Sequence, residues 1–162
     1  MTTDVALLGR FKGLFDTGLS SPHPQGLARM IDCIRPPAAS DEIRFTNREL
    51  VIRDEESYLR FISCIPKYVM EFVPSPRPSN DPLLQIPRID FTEQMMLVII
   101  SHEPNCLIDL DIISVDLTPK AMRVFCRYSD PGRVVQKIIS VGTYCAVVVC
   151  RFDGEVIFHS AA

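Results

Sequence analysis

The stretch Met95-Met96-Leu97-Val98-Ile99-Ile100-Ser101 constrains this chain more than any other. Side chains alternate between the two faces of a strand, so a strand with one wet face alternates apolar and polar residues. Six apolar residues in succession leave no wet face, and the run reads as a strand buried on both sides. Covering such a strand takes apolar material. The chain has 162 residues, of which 47% are hydrophobic and 23% charged, and the surface scaling for that size buries roughly 69% of the unfolded chain's surface. A core of this kind needs no metal or disulfide staple.

Further strands surround the run. Residues 108–117 form one, closed by the turn Thr118-Pro119-Lys120. Ala121 to Tyr128 alternates, with Met122, Val124, Cys126 and Tyr128 on one face and Arg123 and Arg127 on the other, as a half-exposed strand should. Ser129-Asp130-Pro131-Gly132 has turn composition, residues 134–141 offer another strand, and Tyr144 to Phe152 is rich in β-branched residues. Asp153-Gly154 then reads as the turn of a tight hairpin returning through Glu155 to His159. Five or six strands thus fall in the last seventy residues. Short turns favour antiparallel neighbours.

Before this strand-rich region, residues 89–160, lies a proline-rich connection at 73–88 with Pro74, Pro76, Pro78, Pro82 and Pro87, predicted to hold no regular element. Upstream of it, Ile43 to Arg53 reads as a strand and Asp54 as the N-cap of a helix with Glu55 and Glu56 in its first turn. Tyr58, Leu59, Phe61, Ile62 and Ile65 supply the apolar face of that helix, and Pro66 stops it. Residues 1–40 are the least legible. Val5, Leu8, Phe11 and Phe15 have helical spacing, but Gly9, Gly13 and Gly18 oppose a helix, leaving strand or irregular structure equally open. Leu27, Met30, Ile31 and Ile34 suit a short helix between Pro22-Pro24 and Pro36-Pro37 pairs. The expected fold class is α+β, mainly β: one domain over 1–162, an antiparallel sheet or sandwich with one or two short helices packed on it.

Chemistry-bearing motifs are scarce. The net charge of −3 offers no basic stripe for phosphate backbones, so nucleic acid is not an expected partner. No apolar run reaches membrane-spanning length and the first twenty residues do not read as a secretory signal, which points to a cytoplasmic protein without membrane contact. The six cysteines lack C-x-x-C spacing and read as thiols; in an exported chain the even count would instead invite disulfides. Cys145 and Cys150 fit a core strand, whereas Cys106 lies near a turn and is the accessible candidate. His23, His102 and His159 lie far apart in sequence, and no metal or cofactor is expected. Asp109 and Asp111 share a strand face near Asp116, a pattern that suits a hard cation or acid-base work but more commonly marks a solvated face. No phosphate loop, dinucleotide fingerprint, nucleophile elbow or zinc-protease motif occurs, so no catalytic residues are assigned.

One resemblance gives direction. The run IDFTEQMMLVIIS from Ile89 resembles the start of the C-terminal-domain family of the protease-complex accessory protein PrcB, whose members approach a buried strand through a V-D-F-S-x-x-M-type pattern. VIRDEESYLRFIS at Val51 to Ser63 is similar to the strand and helix that precede it there, and TYCAVVVCRFDGEVIF to the family's closing hairpin. The family continues from the buried strand into a P-T-G-G-Y loop. Here Pro104 keeps the proline, while Asn105, Cys106, Leu107 and Ile108 replace the threonine, both glycines and the tyrosine, which implies a different loop conformation or a loop relieved of its contact.

The resemblance implies a non-catalytic accessory or interaction module with an unknown protein partner. The connection from Ser101 to Leu107 is the expected contact, through His102, Glu103, Asn105 and Cys106. The rival reading is a small-molecule binder or weak hydrolase with a cleft near His102 and Cys106, recognisable by a concave pocket with converging polar groups. Self-association is a third reading, since the alternating strands leave faces for it.

Overall fold

The computed structural model describes residues 1–16, 48–69, 77–101, 109–129 and 141–161. They form ten strands: β1 (Thr3–Asp4), β2 (Gly9–Asp16), β3 (Arg48–Ile52), β4 (Tyr68–Val69), β5 (Arg77–Pro78), β6 (Gln94–Ser101), β7 (Asp109–Leu117), β8 (Ala121–Ser129), β9 (Val141–Cys150) and β10 (Glu155–Ala161). One α-helix, α1 (Glu55–Ser63), and one 3-10 turn, Pro82–Gln85, complete the described elements. The mainly-β α+β class is the one expected.

Two four-stranded sheets stack. Sheet A has the order β1-β7-β8-β10 and sheet B the order β2-β9-β6-β3, while β4 and β5 make a two-residue pair of their own. Sheet B is antiparallel throughout; sheet A is antiparallel except where β10 runs parallel to β8. The apolar run of β6 lies in the middle of sheet B, and its alternation divides the core into two. Met95, Leu97 and Ile99 cluster with Leu110, Ile112, Val115, Met122, Val124 and Cys126 of sheet A. Met96, Val98 and Ile100 cluster instead with Tyr58, Phe61 and Ile62 of α1 and with Leu83 of the 3-10 turn. Sheet B is therefore the central layer. Registers carry the same division across it: Leu97 stands opposite Val51 and Val147, Val98 opposite Leu50 and Ala146. Burying a side chain of this size stabilises by about 1.5–3 kcal/mol, and every apolar residue of β6 is buried.

Helix α1 is written locally. Asp54 is extended and its carboxylate accepts from the Ser57 amide at 2.8 Å, with Glu55 and Glu56 in the first turn where the helix dipole favours anions. Those bonds to Ser57 hold the Asp54 carboxyl below its ordinary value. Tyr58, Phe61 and Ile62 face sheet B; Phe61 stacks on Phe15 and meets Tyr144 edge-on. Leu59, expected on this face, is 43% exposed. One residue is about 100° of helical rotation, which turns Leu59 away from the stripe that Tyr58 and Ile62 define. Helical order ends at Ser63, with Cys64 as C-cap, so Pro66 follows the helix rather than breaking it.

Two further expectations are corrected, and one that was open is resolved. The proline-rich connection is not without elements, since it carries β5 and the 3-10 turn, whose N-cap Asp81 accepts from the Leu83 amide; Pro74 and Pro76 lie outside the described residues. The N-terminal segment, open between strand and irregular structure, holds both: Phe11 and Phe15 lie in β2, while Val5 and Leu8 lie in the link from β1, tied by Val5 N–H to the Val115 carbonyl and Leu8 N–H to the Val148 carbonyl. The Asp153-Gly154 turn does not close a β9–β10 hairpin. Both lateral edges of β9 are already occupied, by β2 and β6, so the chain crosses to sheet A and lays β10 beside β8. Two arginines hold that crossing: Arg53 donates to the Phe152 and Gly154 carbonyls, and Arg151 to those of Arg53 and Phe91. The strand reading of residues 134–140 and the helix reading around Met30 fall outside the described residues.

Candidate functional site

Sheet A differs from sheet B in being covered on one side only by the described layers. Its inward residues join the core, and its outward residues follow from strand alternation: Asp109 and Asp111 on β7, Arg123, Phe125 and Arg127 on β8, Glu155, Ile157 and His159 on β10. A bulge between Ile112 and Ser114 shifts the phase of β7 by one residue. Consequently Asp116, which strict alternation would turn inward, faces out beside Arg123.

These side chains form a ladder across three strands. Arg123 donates through Nε and Nη2 to the two Asp116 carboxylate oxygens, each at 2.7 Å. Its guanidinium carbon lies 5.4 Å from the centre of the Phe125 ring, a cation–π contact. Phe125 in turn stacks on the His159 imidazole, with centroids 5.3 Å apart and planes 18° from parallel. The hydrogen bonds from Arg123 hold the Asp116 carboxyl below its ordinary value. Beside the ladder, Ile113 at the bulge is 45% exposed and Ile157 on β10 is 36% exposed. An aromatic and a forked cation on this sheet face match the residue types enriched in protein contacts.

At the far end of β7 the two carboxylates singled out in the sequence pair with basic side chains. Asp111 pairs with Arg10 and lies 3.5 Å from Arg127, while Lys12 reaches Asp109 at 3.3 Å. Arg10 and Lys12 come from β2, so these pairs tie the edge of sheet B to sheet A.

A second locus lies beside β2. The buried Tyr144 hydroxyl donates to the Asp81 carboxylate at 2.7 Å, and burial together with Asp81 pushes its ionisation far up. Gly13 makes this contact possible, because a Cβ there would stand 2.4 Å from Asp81 Oδ2. Around it a recess of about 360 Å³ is lined by Lys12, Leu14, Asp109, Leu110 and Thr143.

The expected contact residues His102, Glu103, Asn105 and Cys106 lie outside the described residues, as does His23. Of the cysteines described, Cys64, Cys126 and Cys145 are buried, and burial pushes the Cys126 thiol up to about 12. Cys150, expected in the core, is exposed at the last position of β9, one step beyond the covered row of Val148. The sequence puts His159 at the end of a strand, and the fold makes it a rung of the ladder; its partner Phe125, an aromatic on the polar face of β8, is the signal available in sequence.

Comparison with protein-family models, curated proteins and solved structures finds no match to this chain. The fold and the open face define a class by architecture: a two-sheet β-sandwich with a helix on its outer side. No described helix is long and apolar enough to cross a membrane.

Proposed function

We propose that this chain is a non-catalytic interaction module that binds a protein partner through the outward face of sheet A. The observation that carries this reading is the Asp116–Arg123–Phe125–His159 ladder flanked by exposed Ile113 and Ile157. The four groups are already ordered against one another, so a partner would meet a preformed surface and freeze few rotamers on binding. The resemblance to protease-complex accessory proteins supports a protein as the partner class. The connection with His102, Glu103, Asn105 and Cys106 leads from β6 into β7 and is a second contact within the same proposal.

The test compares proteins co-captured by the wild-type chain and by the triple variant Arg123→Ala, Phe125→Ala, His159→Ala, with circular dichroism confirming the fold of both. Selective loss of captured proteins from the variant supports the assignment; identical capture sinks it. Alanine substitution of His102, Glu103 and Asn105 in a parallel arm tests the connection by itself.

The recess beside Lys12 favours the small-molecule reading, since it places a cation, Asp109 and the Thr143 side chain around one concavity. That reading requires a ligand that co-purifies with the chain in native mass spectrometry and is lost on Leu14→Trp.

A further inference from the structure

The four lateral edges of the two sheets are not equally defended against another strand. An open edge presents unpaired N–H and C=O groups, and folded proteins blunt such edges with short strands, lysines, prolines, glycine kinks or bulges. β1 has only two residues, β2 carries Arg10, Lys12 and Gly13, and β3 carries Arg48 and Glu49 in five residues. β10 is the outermost strand of sheet A, seven residues long, with the sequence Glu-Val-Ile-Phe-His-Ser-Ala. It has no lysine, arginine, proline or glycine, and its parallel partner β8 occupies one side of it without a register shift. Among the described residues nothing pairs with its other side.

We infer that β10 pairs antiparallel with β10 of a second copy of this chain, about a two-fold axis at Ile157. The side chains of β10 select both the partner and the register. Antiparallel pairing of two identical strands places Ile157 against Ile157 of its mate, and the exposed apolar side chain covers itself. On the same outward face Glu155 then stands opposite His159 of the mate, and His159 opposite its Glu155, so a carboxylate meets an imidazole twice. On the inward face Val156 meets Phe158, both of which border the inter-sheet core. Moving the axis by one residue, to Phe158, sets Ile157 against His159 and leaves Glu155 facing Ala161, losing both matches. Strand addition joins sheet A of one copy to sheet A of the other in one continuous sheet. The outward ladder then runs on from His159 to Glu155 of the mate. This inference does not depend on the interaction-module reading, because it is the unpaired backbone edge of β10 that it rests on, although Ile157 and His159 belong to the ladder face as well.

Sedimentation velocity over a concentration series tests it. The full chain is expected to self-associate reversibly to a dimer, and Ile157→Lys, which sets two like charges face to face on the axis, to weaken the dimer by about tenfold or more with an unchanged dichroism spectrum. Glu155→Lys is expected to weaken it too, and Glu155→Lys with His159→Glu to restore it. Register is read separately: Ile157→Cys crosslinks to its mate under mild oxidation, because directly opposed strand residues lie within disulfide reach, whereas Ser160→Cys does not. A wild-type chain that stays monomeric up to about 1 mM, or a dimer indifferent to Ile157→Lys, overturns the inference. Capture of other proteins by the wild-type chain at a concentration where sedimentation shows it monomeric would separate the failure of this inference from that of the proposed function.

Discussion

Sheets A and B have four strands each, but sheet B is interior on both faces and sheet A on one. In β6 and β9 every other residue touches α1 and its neighbours, and the residues between them touch sheet A. In β8 the same alternation sends Met122, Val124 and Cys126 inward and Arg123, Phe125 and Arg127 outward. The comparison teaches where packing constrains the sequence. Residues of the central strands β6 and β9 of sheet B are fixed by volume and apolarity on both sides, so they hold the fold; the outward half of sheet A is free of that constraint and carries the chemistry available for contacts.

The largest expected effect breaks this contrast directly. Leu97→Ala in β6 should destabilise by about 2–5 kcal/mol, because the cavity it leaves is enclosed by both sheets. Ile113→Thr, on the outward bulge of β7, should stay within about 0.5 kcal/mol of the wild type. Urea unfolding of both variants checks the pair, and similar losses would mean that the outer face of sheet A is covered.

Next in size is the link between sheet B and its helix-side cover. Tyr144→Phe removes the hydrogen bond to Asp81, which also caps the 3-10 turn. A loss of about 1.5–3 kcal/mol is expected for a hydrogen bond to a charged group in a part-buried site, again read from urea unfolding. Tyr128→Phe, at the end of β8 in sheet A, is the control and should cost less.

Smaller still is the cap of α1. Asp54→Ala should cost about 1 kcal/mol, the usual worth of a helix N-cap. Its pH dependence has a defined sign. The folded-state carboxyl titrates below its ordinary value of 3.8, so its contribution is complete above that value and is lost as pH falls through the lower, folded one. Asp90 and Asp116 are lowered in the same direction, by Thr92 and Arg123 respectively. Stability should therefore decline on acidification below about pH 4, and Asp54→Asn should show a shallower decline than the wild type over that window. An equal slope in the two chains would remove Asp54 from the acid response.

Local signals made part of this legible. The unbroken run of β6 announced a strand covered twice, the alternation of β8 gave its outward arginines, and Asp54 with two following glutamates placed the start of α1. What escaped was non-local. Asp153-Gly154 has hairpin composition, but whether β10 can return beside β9 depends on β2 and β6, which lie far away in sequence and fill both of its edges. The bulge at Ile112–Ser114 has no residue signature of its own, so the outward placement of Asp116 could not be read by counting in twos. In the ladder, Arg123 was placed on the right face from sequence. Phe125 and His159 were not joined to it, because their pairing depends on β10 crossing to sheet A.

Hydroxyl-radical footprinting of the dilute native chain tests the central asymmetry most directly. Methionine is readily oxidised when solvent reaches it, and Met95 and Met96 are adjacent residues facing the two opposite sides of sheet B, while Met1 is fully exposed. Rapid oxidation of Met1, clear modification of Ile113 and His159 on the outward face of sheet A, and silence at both Met95 and Met96 are predicted. Oxidation of either Met95 or Met96 at the rate of Met1 would show that one side of sheet B is open, and would contradict the account.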